Sequence, residues 1–267
     1  MSKTWLLTRI WRISRLTFHL FKGVVIVAAR FGTADRDLRV TTIQRWSQQM
    51  LLLLNFEVRV VGIPPGIYPA NTLLVANHVS WIDIFVLNSI TVSRFVAKSE
   101  VRRWPVIGWL CVKTGTLFIE RQKKRDTARV GNIVSASLAE GDCIAMFPEG
   151  TTADGTYLRP FNASLFQPIL ESQGRVQPVG LRYLYLDGQH AIAPAYTDNL
   201  SLLASIWRIV SAKQTVAELH FCRQLNAEGA HRRHLCKEAE AIIATALNLP
   251  LLHKGADKPV DPPAEAP

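Results

Sequence analysis

Hydrophobic positions in the first 54 residues recur with the period of an α-helix. In residues 1–30 six apolar side chains share one face of a helical wheel, and three of the six basic side chains lie roughly opposite, with Arg9 on the flank. The apolar face is Leu6, Ile10, Ile13, Leu20, Val24 and Ala28, and the basic one is Arg12, Arg15 and Lys22. A second helical segment, from Val40 to Leu54, ends in an apolar block. Residues 1–54 are therefore predicted to form a helical hairpin.

The first helix of this hairpin is predicted to lie in the membrane interface. Its cleanest apolar stretch, Leu16 to Ala29, would measure about 21 Å as a helix. A bilayer core is about 30 Å thick, and His19 and Lys22 interrupt the stretch, so a spanning helix is disfavoured. A signal peptide would also show a basic start before an apolar run, but Lys22 lies inside this run. A helix packed on its own domain is the other alternative.

From residue 55 onwards, short apolar strand patterns alternate with helical patterns. Strands are predicted over 56–62, 72–76, 94–98, 116–120, 142–147, 176–185 and 216–222, and helices over 80–90, 104–112, 125–141, 162–174, 201–212 and 231–247. This alternation predicts an α/β layered domain over residues 55–248, with a largely parallel central sheet flanked by helices. Residues 249–267 are rich in proline and are predicted to be a disordered tail.

The composition indicates a globular protein with an anionic partner. Of the 267 residues 48% are hydrophobic, and the formal net charge is +10. Nucleic acid, phosphorylated substrates and anionic lipid all carry the negative charge of such a partner. However, the basic charge of the first thirty residues lies largely opposite an apolar helical face, and aromatic residues do not interleave with a basic strand surface. We therefore expect an anionic membrane surface as a partner, and no nucleic acid.

The cysteines and histidines predict neither disulfides nor a metal site. The four cysteines show no paired spacing, which is typical of a reduced, cytosol-facing protein. Side chains of zinc-binding type do cluster along the sequence at His220, Cys222, His231, His234 and Cys236. They fall on a strand pattern and on a helix with mixed faces, so zinc is disfavoured. The chain also contains no GxSxG, GxxxxGK, GxGxxG or HExxH motif, which removes the usual support for serine hydrolases, nucleotide hydrolases and zinc proteases.

Candidate chemistry lies where predicted strands end. Asn77-His78-Val79-Ser80-Trp81-Ile82-Asp83 directly follows the apolar strand 72–76. On one continuous helix His78 and Asp83 would lie about 140° apart and could not meet. They can meet if His78 lies in a turn and the helix begins near Ser80, which places Asp83 in the first helical turn. Ser80 as a helix cap with Asp83 in a capping-box variant is an alternative compatible with this arrangement.

Two further segments also place candidate functional residues at the end of a predicted strand. Gly115 to Arg121 is a short strand that carries Arg121 at its end, and Phe147 to Thr152 follows another strand. Because ligand sites in open α/β sheets lie at the carboxyl ends of strands, His78, Arg121 and Glu149 are expected to meet there.

The three segments together resemble the glycerolipid acyltransferase family, whose best-known member acylates 1-acylglycerol 3-phosphate. The family signature NHxxxxD is matched by Asn77 to Asp83, GxxFIxR by Gly115 to Arg121, and FPEGT by Phe147 to Thr151. A weaker fourth block is approximated around Pro178, so the resemblance covers residues 73–183. It implies an O-acyltransferase that moves a fatty acyl group from a thioester donor to a lysolipid hydroxyl.

The resemblance also implies roles for individual residues. His78 would be the general base and Asp83 would orient it, while Arg121 and Lys98 would supply positive charge to the substrates. The other substrate-binding positions would be Asn77, Gly115, Pro148, Glu149, Gly150, Thr151 and Thr152. The donor would be acyl-CoA or acyl carrier protein, and no bound cofactor or metal is expected. The expected location is the cytoplasmic face of the inner membrane, as a monotopic or peripheral protein.

General-base catalysis without a protein nucleophile suits this chemistry. A neutral imidazole can accept a proton from a hydroxyl at neutral pH, and a thioester already has a good leaving group. Transfer would therefore be direct, through a ternary complex with no acyl-enzyme. A catalytically silent lipid-surface binding protein is the alternative function, which the intact His78 and Asp83 disfavour.

One departure from the family pattern bears on the acceptor. Members that form phosphatidic acid usually have FPEGTR, with the arginine on the acceptor phosphate, but here Thr152 takes that place. The FPEGTT form resembles relatives that acylate lyso-ornithine lipid. Arg159 or Lys98 could instead compensate for the missing arginine and preserve a phosphate acceptor.

Overall fold

In the described part of the chain eight strands form one sheet, and helices cover both of its faces. The computed structural model describes residues 5–120, 124–197 and 200–252. The helices are α1 (Leu6–Arg30), α2 (Arg36–Leu53), α3 (Asp83–Ile90), α4 (Ile107–Lys113), α5 (Lys124–Ala139), α6 (Gln167–Glu171), α7 (Leu202–Ser211) and α8 (Arg232–Leu247). The strands are β1 (Phe56–Gly62), β2 (Thr72–Ala76), β3 (Arg94–Lys98), β4 (Leu117–Ile119), β5 (Cys143–Met146), β6 (Arg175–Tyr185), β7 (Thr215–Phe221) and β8 (Leu225–Asn226). Short 3-10 helices cover Ser99–Arg103 and Ala163–Phe166.

The strand order across the sheet is β1-β7-β6-β2-β5-β3-β4, with β8 paired to β6. Strands β4, β3, β5, β2 and β6 run parallel to one another, whereas β7 pairs with β6 in the antiparallel direction. Strand β1 is parallel to β7 and so also runs against the central strands. The predicted α/β fold with a largely parallel sheet is therefore confirmed.

The centre of the sheet is buried on both faces. Side chains of successive residues on a strand point to opposite faces, and every residue of β2 is buried. Leu74 and Ala76 belong to the hydrophobic cluster that includes Val86 of α3. Leu73 and Val75 belong to the other cluster, which packs under α5, α6 and α8. This double packing holds β2, and hence the residues that follow it, rigidly in place.

Helix α1 packs on the domain along one side and exposes apolar side chains along another. Leu16, His19 and Val27 are buried, and the His19 ring stacks on Trp46 of α2 at 4.7 Å. The guanidinium of Arg12 donates hydrogen bonds to the carbonyl oxygens of Val210 and Ala212 at 2.9 and 2.8 Å. Exposed apolar side chains along the helix are Trp5, Leu6, Leu7, Ile10, Trp11, Phe18, Phe21 and Val25. Within the described ranges no helix is both long enough and apolar enough to cross a bilayer.

Several predicted boundaries differ from the structure. Helix α2 begins at Arg36 instead of Val40, because Asp35 accepts a hydrogen bond from the Leu38 amide and caps the helix earlier. The single helix predicted over 162–174 is a 3-10 helix followed by α6. The wheel placed Arg12 opposite the apolar face, whereas its guanidinium contacts the domain. Of the predicted tail, residues 253–267 lie outside the described part of the chain.

Candidate active site

The site lies at the carboxyl ends of β2 and β5, the two central strands. His78 is in the turn between β2 and α3, and Glu149 is in the loop that follows β5. Because β2 and β5 are neighbours and parallel, both segments emerge at the same edge of the sheet. Two of the three predicted segments therefore meet there.

His78 and Asp83 form a hydrogen-bonded pair. The Nδ1 atom of His78 lies 2.8 Å from Oδ2 of Asp83, and the Asp83 side chain is fully buried. The same Oδ2 accepts hydrogen bonds from the amides of Val79 and Ser80 at 2.8 and 2.9 Å. The turn thus wraps around the carboxylate, which brings together two residues five positions apart.

The helix begins later than predicted. Helix α3 begins at Asp83 and not near Ser80, since residues 80–82 form a turn in which the Asp83 amide donates to the Ser80 carbonyl at 3.2 Å. The Ser80 hydroxyl accepts a hydrogen bond from the Ile82 amide at 3.3 Å. The half of the capping box in which the carboxylate accepts from the Ser80 amide is present, and it fixes the carboxylate.

Tyr183 of β6 completes the environment of Asp83 and was not anticipated from the sequence. Its hydroxyl donates to Asp83 Oδ1 at 2.6 Å, and its side chain is fully buried. Burial and the neighbouring carboxylate raise the pKa of Tyr183 well above its usual value, so the phenol stays protonated and acts as a donor. With one hydroxyl, two amides and an imidazole as partners, Asp83 is held in a single orientation.

The imidazole of His78 is also fixed by stacking. Its ring lies parallel to that of Phe147, with ring centroids 3.9 Å apart and an interplanar angle of 7°. The His78 side chain is 20% exposed to solvent. In the described chain the hydrogen bonds of this ring involve Nδ1, so Nε2 is the nitrogen available to a ligand.

Glu149 links the two loops from a buried position. Its Oε1 accepts a hydrogen bond from the His78 amide at 2.6 Å, and its Oε2 accepts one from the Arg159 amide at 3.0 Å. Burial raises the pKa of Glu149 to about 8, although both amide donors act in the opposite direction. Glu149 therefore sets the positions of the loops around His78.

Other predicted substrate-binding residues hold the loops together. The amide of Asn77 is buried and pairs reciprocally with the backbone of Leu181 at 2.7 and 2.8 Å. The hydroxyl of Thr152 donates to the carbonyl of Tyr196. The Tyr196 amide in turn donates to Val79 at 2.8 Å. The carbonyl of Pro148 accepts from the Asn162 amide, and Gly150 has a φ of +81°, which favours glycine.

The remaining predicted residues are distributed differently. Lys98 is exposed at the carboxyl end of β3, at the same edge as His78. Arg121 lies outside the described residues. Gly115 precedes β4 and lies at the opposite edge, away from His78, where its carbonyl accepts from Arg94 at 2.8 Å. Its φ of +84° explains the glycine as a turn residue.

Comparisons with known proteins establish what kind of protein carries this site. The family described as Acyltransferase matches residues 58–182. A 1-acyl-sn-glycerol-3-phosphate acyltransferase of Neisseria gonorrhoeae is 33% identical, over 89% of this chain and 92% of that protein. The chain belongs to the acyltransferase family. A lyso-ornithine lipid O-acyltransferase of Pseudomonas aeruginosa is 35% identical to this acyltransferase, over 81% of the chain and 82% of the relative.

A solved structure supports the fold of this acyltransferase independently. The crystal structure of a 1-acyl-sn-glycerophosphate acyltransferase from Thermotoga maritima superposes with a TM-score of 0.71. The match covers 91% of this chain and 94% of the Thermotoga maritima chain, at 20% sequence identity. The chain is thus an O-acyltransferase, and the alternative of a catalytically silent lipid-binding protein is set aside.

Proposed function

We propose that this O-acyltransferase moves a fatty acyl group from a thioester donor to the hydroxyl of a lysolipid, with His78 as the general base. The observation that carries the proposal is the contact of 2.8 Å between His78 Nδ1 and the fully buried Asp83. An ionised Asp83 keeps the proton on Nδ1 and leaves Nε2 as the acceptor.

The reaction follows from this tautomer. Nε2 accepts the proton of the lysolipid hydroxyl while its oxygen attacks the thioester carbonyl carbon. The tetrahedral intermediate then collapses, the carbon–sulfur bond breaks, and the imidazolium returns the proton to the departing thiolate. Asp83 stays ionised and stabilises the imidazolium. Donor and acceptor are bound together, and acyl-CoA and acyl carrier protein are the two donor classes.

The acceptor is proposed to be lyso-ornithine lipid. At the position where relatives of the FPEGTR type carry arginine, Thr152 has a neutral hydroxyl that already donates to Tyr196. A hydroxyl cannot replace a charge-assisted arginine–phosphate pair.

Lysophosphatidic acid is the second candidate acceptor, and Arg159 favours it. The Arg159 amide donates to Glu149, its guanidinium lies near that carboxyl group, and its Nε is buried without a partner in the described chain. The guanidinium would supply positive charge to the acceptor phosphate.

Competition between acceptors tests the proposal. Purified full-length protein in mixed micelles receives labelled acyl-CoA and equal concentrations of lyso-ornithine lipid and lysophosphatidic acid. We expect preference for lyso-ornithine lipid, and Thr152→Arg should shift the ratio towards lysophosphatidic acid. Thr156→Arg, in an exposed part of the same loop, is the matched control. If neither acceptor is labelled with acyl-CoA or with acyl carrier protein as the donor, the acyl-transfer proposal is wrong. If the unmodified protein prefers lysophosphatidic acid, only the assignment of the acceptor is wrong.

We further propose that α1 attaches the enzyme to the cytoplasmic face of an anionic membrane. Trp11, Phe18 and Phe21 are 57%, 69% and 65% exposed, and basic side chains accompany them along the helix. Phe18→Ser with Phe21→Ser should weaken binding to anionic vesicles at least ~10-fold, since each buried aromatic ring contributes about 1.5–3 kcal/mol. Ile63→Ser with Leu186→Ser, two exposed positions outside α1, is the control. Equal vesicle binding by both double variants would contradict an anchor on α1.

A further inference from the structure

A cavity of about 420 Å³ lies at the edge of the sheet opposite to His78. It is bounded by the beginning of α2, the end of α4 and the residues around the amino ends of β3, β4 and β5. The strands between the two edges are four or five residues long, so roughly 15 Å of sheet separates this cavity from the active site. The cavity is therefore a different place from the site proposed for acyl transfer.

Its charge is strongly positive. Arg36, Arg39, Arg94 and Lys113 line it, and Asp142 is the acidic residue of the lining. The Asp142 carboxylate already has partners, because the hydroxyl of Tyr68 donates to it at 2.9 Å and Arg94 pairs with its other oxygen. Arg36 lies 3.6 Å from it, and the Arg36 side chain is 55% exposed. An excess of positive charge thus faces the cavity.

Part of the remaining lining is apolar. Phe31, Val40, Ile43 and Val92 form walls beside the basic residues. The volume exceeds that of a bare phosphate ion, so the space suits a charged head with an organic body attached. Phe31 also lies directly after α1, the helix that exposes apolar side chains, which brings the cavity close to the end of the proposed membrane contact.

We propose that this cavity binds a phosphate ester, with Arg36 and Lys113 as its principal contacts. Arginine and lysine are the usual ligands of phosphate oxygens. The ester is either a small soluble compound or the headgroup of a membrane lipid. This site does not depend on the proposed acyl transfer, since none of these residues lies at the catalytic edge.

Binding measurements on the full-length protein in detergent test the proposal. Two probes are titrated by calorimetry, glycerol 3-phosphate as the soluble ester and short-chain phosphatidylglycerol in the micelles as the lipid. The double variant Arg36→Gln with Lys113→Gln should raise the Kd of the binding probe at least ~10-fold. Arg232→Gln with Arg233→Gln removes the same charge from the exposed start of α8 and should leave the Kd unchanged.

The outcomes separate the sources of the ester. Loss of glycerol 3-phosphate binding in the cavity variants supports a soluble ester, and loss of phosphatidylglycerol binding alone supports a lipid headgroup. If neither probe binds, or if the cavity and control variants bind equally, the proposal is wrong. Because Lys113 is exposed, Lys113→Gln by itself serves as a variant that does not endanger the fold.

Discussion

The two edges of the sheet each hold a buried carboxylate that accepts from a tyrosine, and their other partners differ. Asp83 accepts from Tyr183 at one edge, and Asp142 accepts from Tyr68 at the other. The further side-chain partner of Asp83 is His78, whereas Asp142 is paired with arginine. Arginine keeps its charge at all ordinary pH values, but imidazole gains and loses a proton near neutrality. The same local design therefore suits the proton transfer proposed for His78 at one edge and a fixed charge at the other.

Substituting each carboxylate by its amide gives the largest expected contrast. Asp83→Asn keeps the size but removes the charge that orients His78, so we expect kcat to fall by ~10²-fold or more. Asp142→Asn should leave kcat of the folded protein nearly unchanged and lower the free energy of unfolding by about 2 kcal/mol. This is less than the ~3–5 kcal/mol of a fully buried pair, because Arg94 is partly exposed. Steady-state kinetics and urea unfolding measure the two effects.

Substituting the two tyrosines is expected to have smaller effects than substituting the two carboxylates. Tyr183 is proposed as a positioning residue that acts through Asp83, so Tyr183→Phe should lower kcat about 10-fold with KM unchanged. Tyr68→Phe, the matching change at the other edge, should alter only stability. A fall in kcat of the same size in both variants, or a change confined to KM, would show that Tyr183 has no particular role in orienting the dyad.

The raised pKa of Glu149 predicts that the free energy of unfolding depends on pH. Its pKa is raised to about 8 in the folded protein, so the folded state holds a proton that the unfolded state releases from about pH 4.5 upwards. The stabilisation is complete below the unfolded pKa and is lost as the pH rises towards 8. The free energy of unfolding of the unmodified protein, relative to Glu149→Gln, should therefore fall across this range, by at most ~1.4 kcal/mol per pH unit for one proton. Parallel curves for the two proteins from pH 5 to 8 would contradict this.

Those parts of the fold that depend on local hydrophobic patterns could be predicted from the sequence. The apolar strand before Asn77 and the alternation of strands and helices were sufficient to place His78 at a strand end, because these features depend on neighbouring residues. The direction of β7 was not predictable, since alternation does not distinguish a strand that returns antiparallel to β6. The separation of Gly115 from His78 has a related cause. A motif has two ends, and its glycine begins the strand whose other end faces the site.

The residues of the site were predictable only where they are close to one another in the sequence. His78 and Asp83 are close in sequence, so a turn could be expected to join them. Tyr183 is 100 residues away from Asp83, and its contact depends on the pairing of β6 with β2. The stacking of Phe147 on His78 likewise requires β5 to lie beside β2. Such long-range contacts have no local signal in a single sequence.

The most direct test of the account is the rate of acyl transfer by His78→Ala. The initial rate from labelled acyl-CoA to the preferred lysolipid is compared with that of the unmodified protein and of His234→Ala, which removes an exposed histidine on α8. The account predicts that His78→Ala loses activity by ~10²–10⁴-fold while its thermal unfolding stays cooperative, and that His234→Ala remains fully active. Folded His78→Ala protein that transfers acyl groups within a few-fold of the unmodified rate would contradict the central claim.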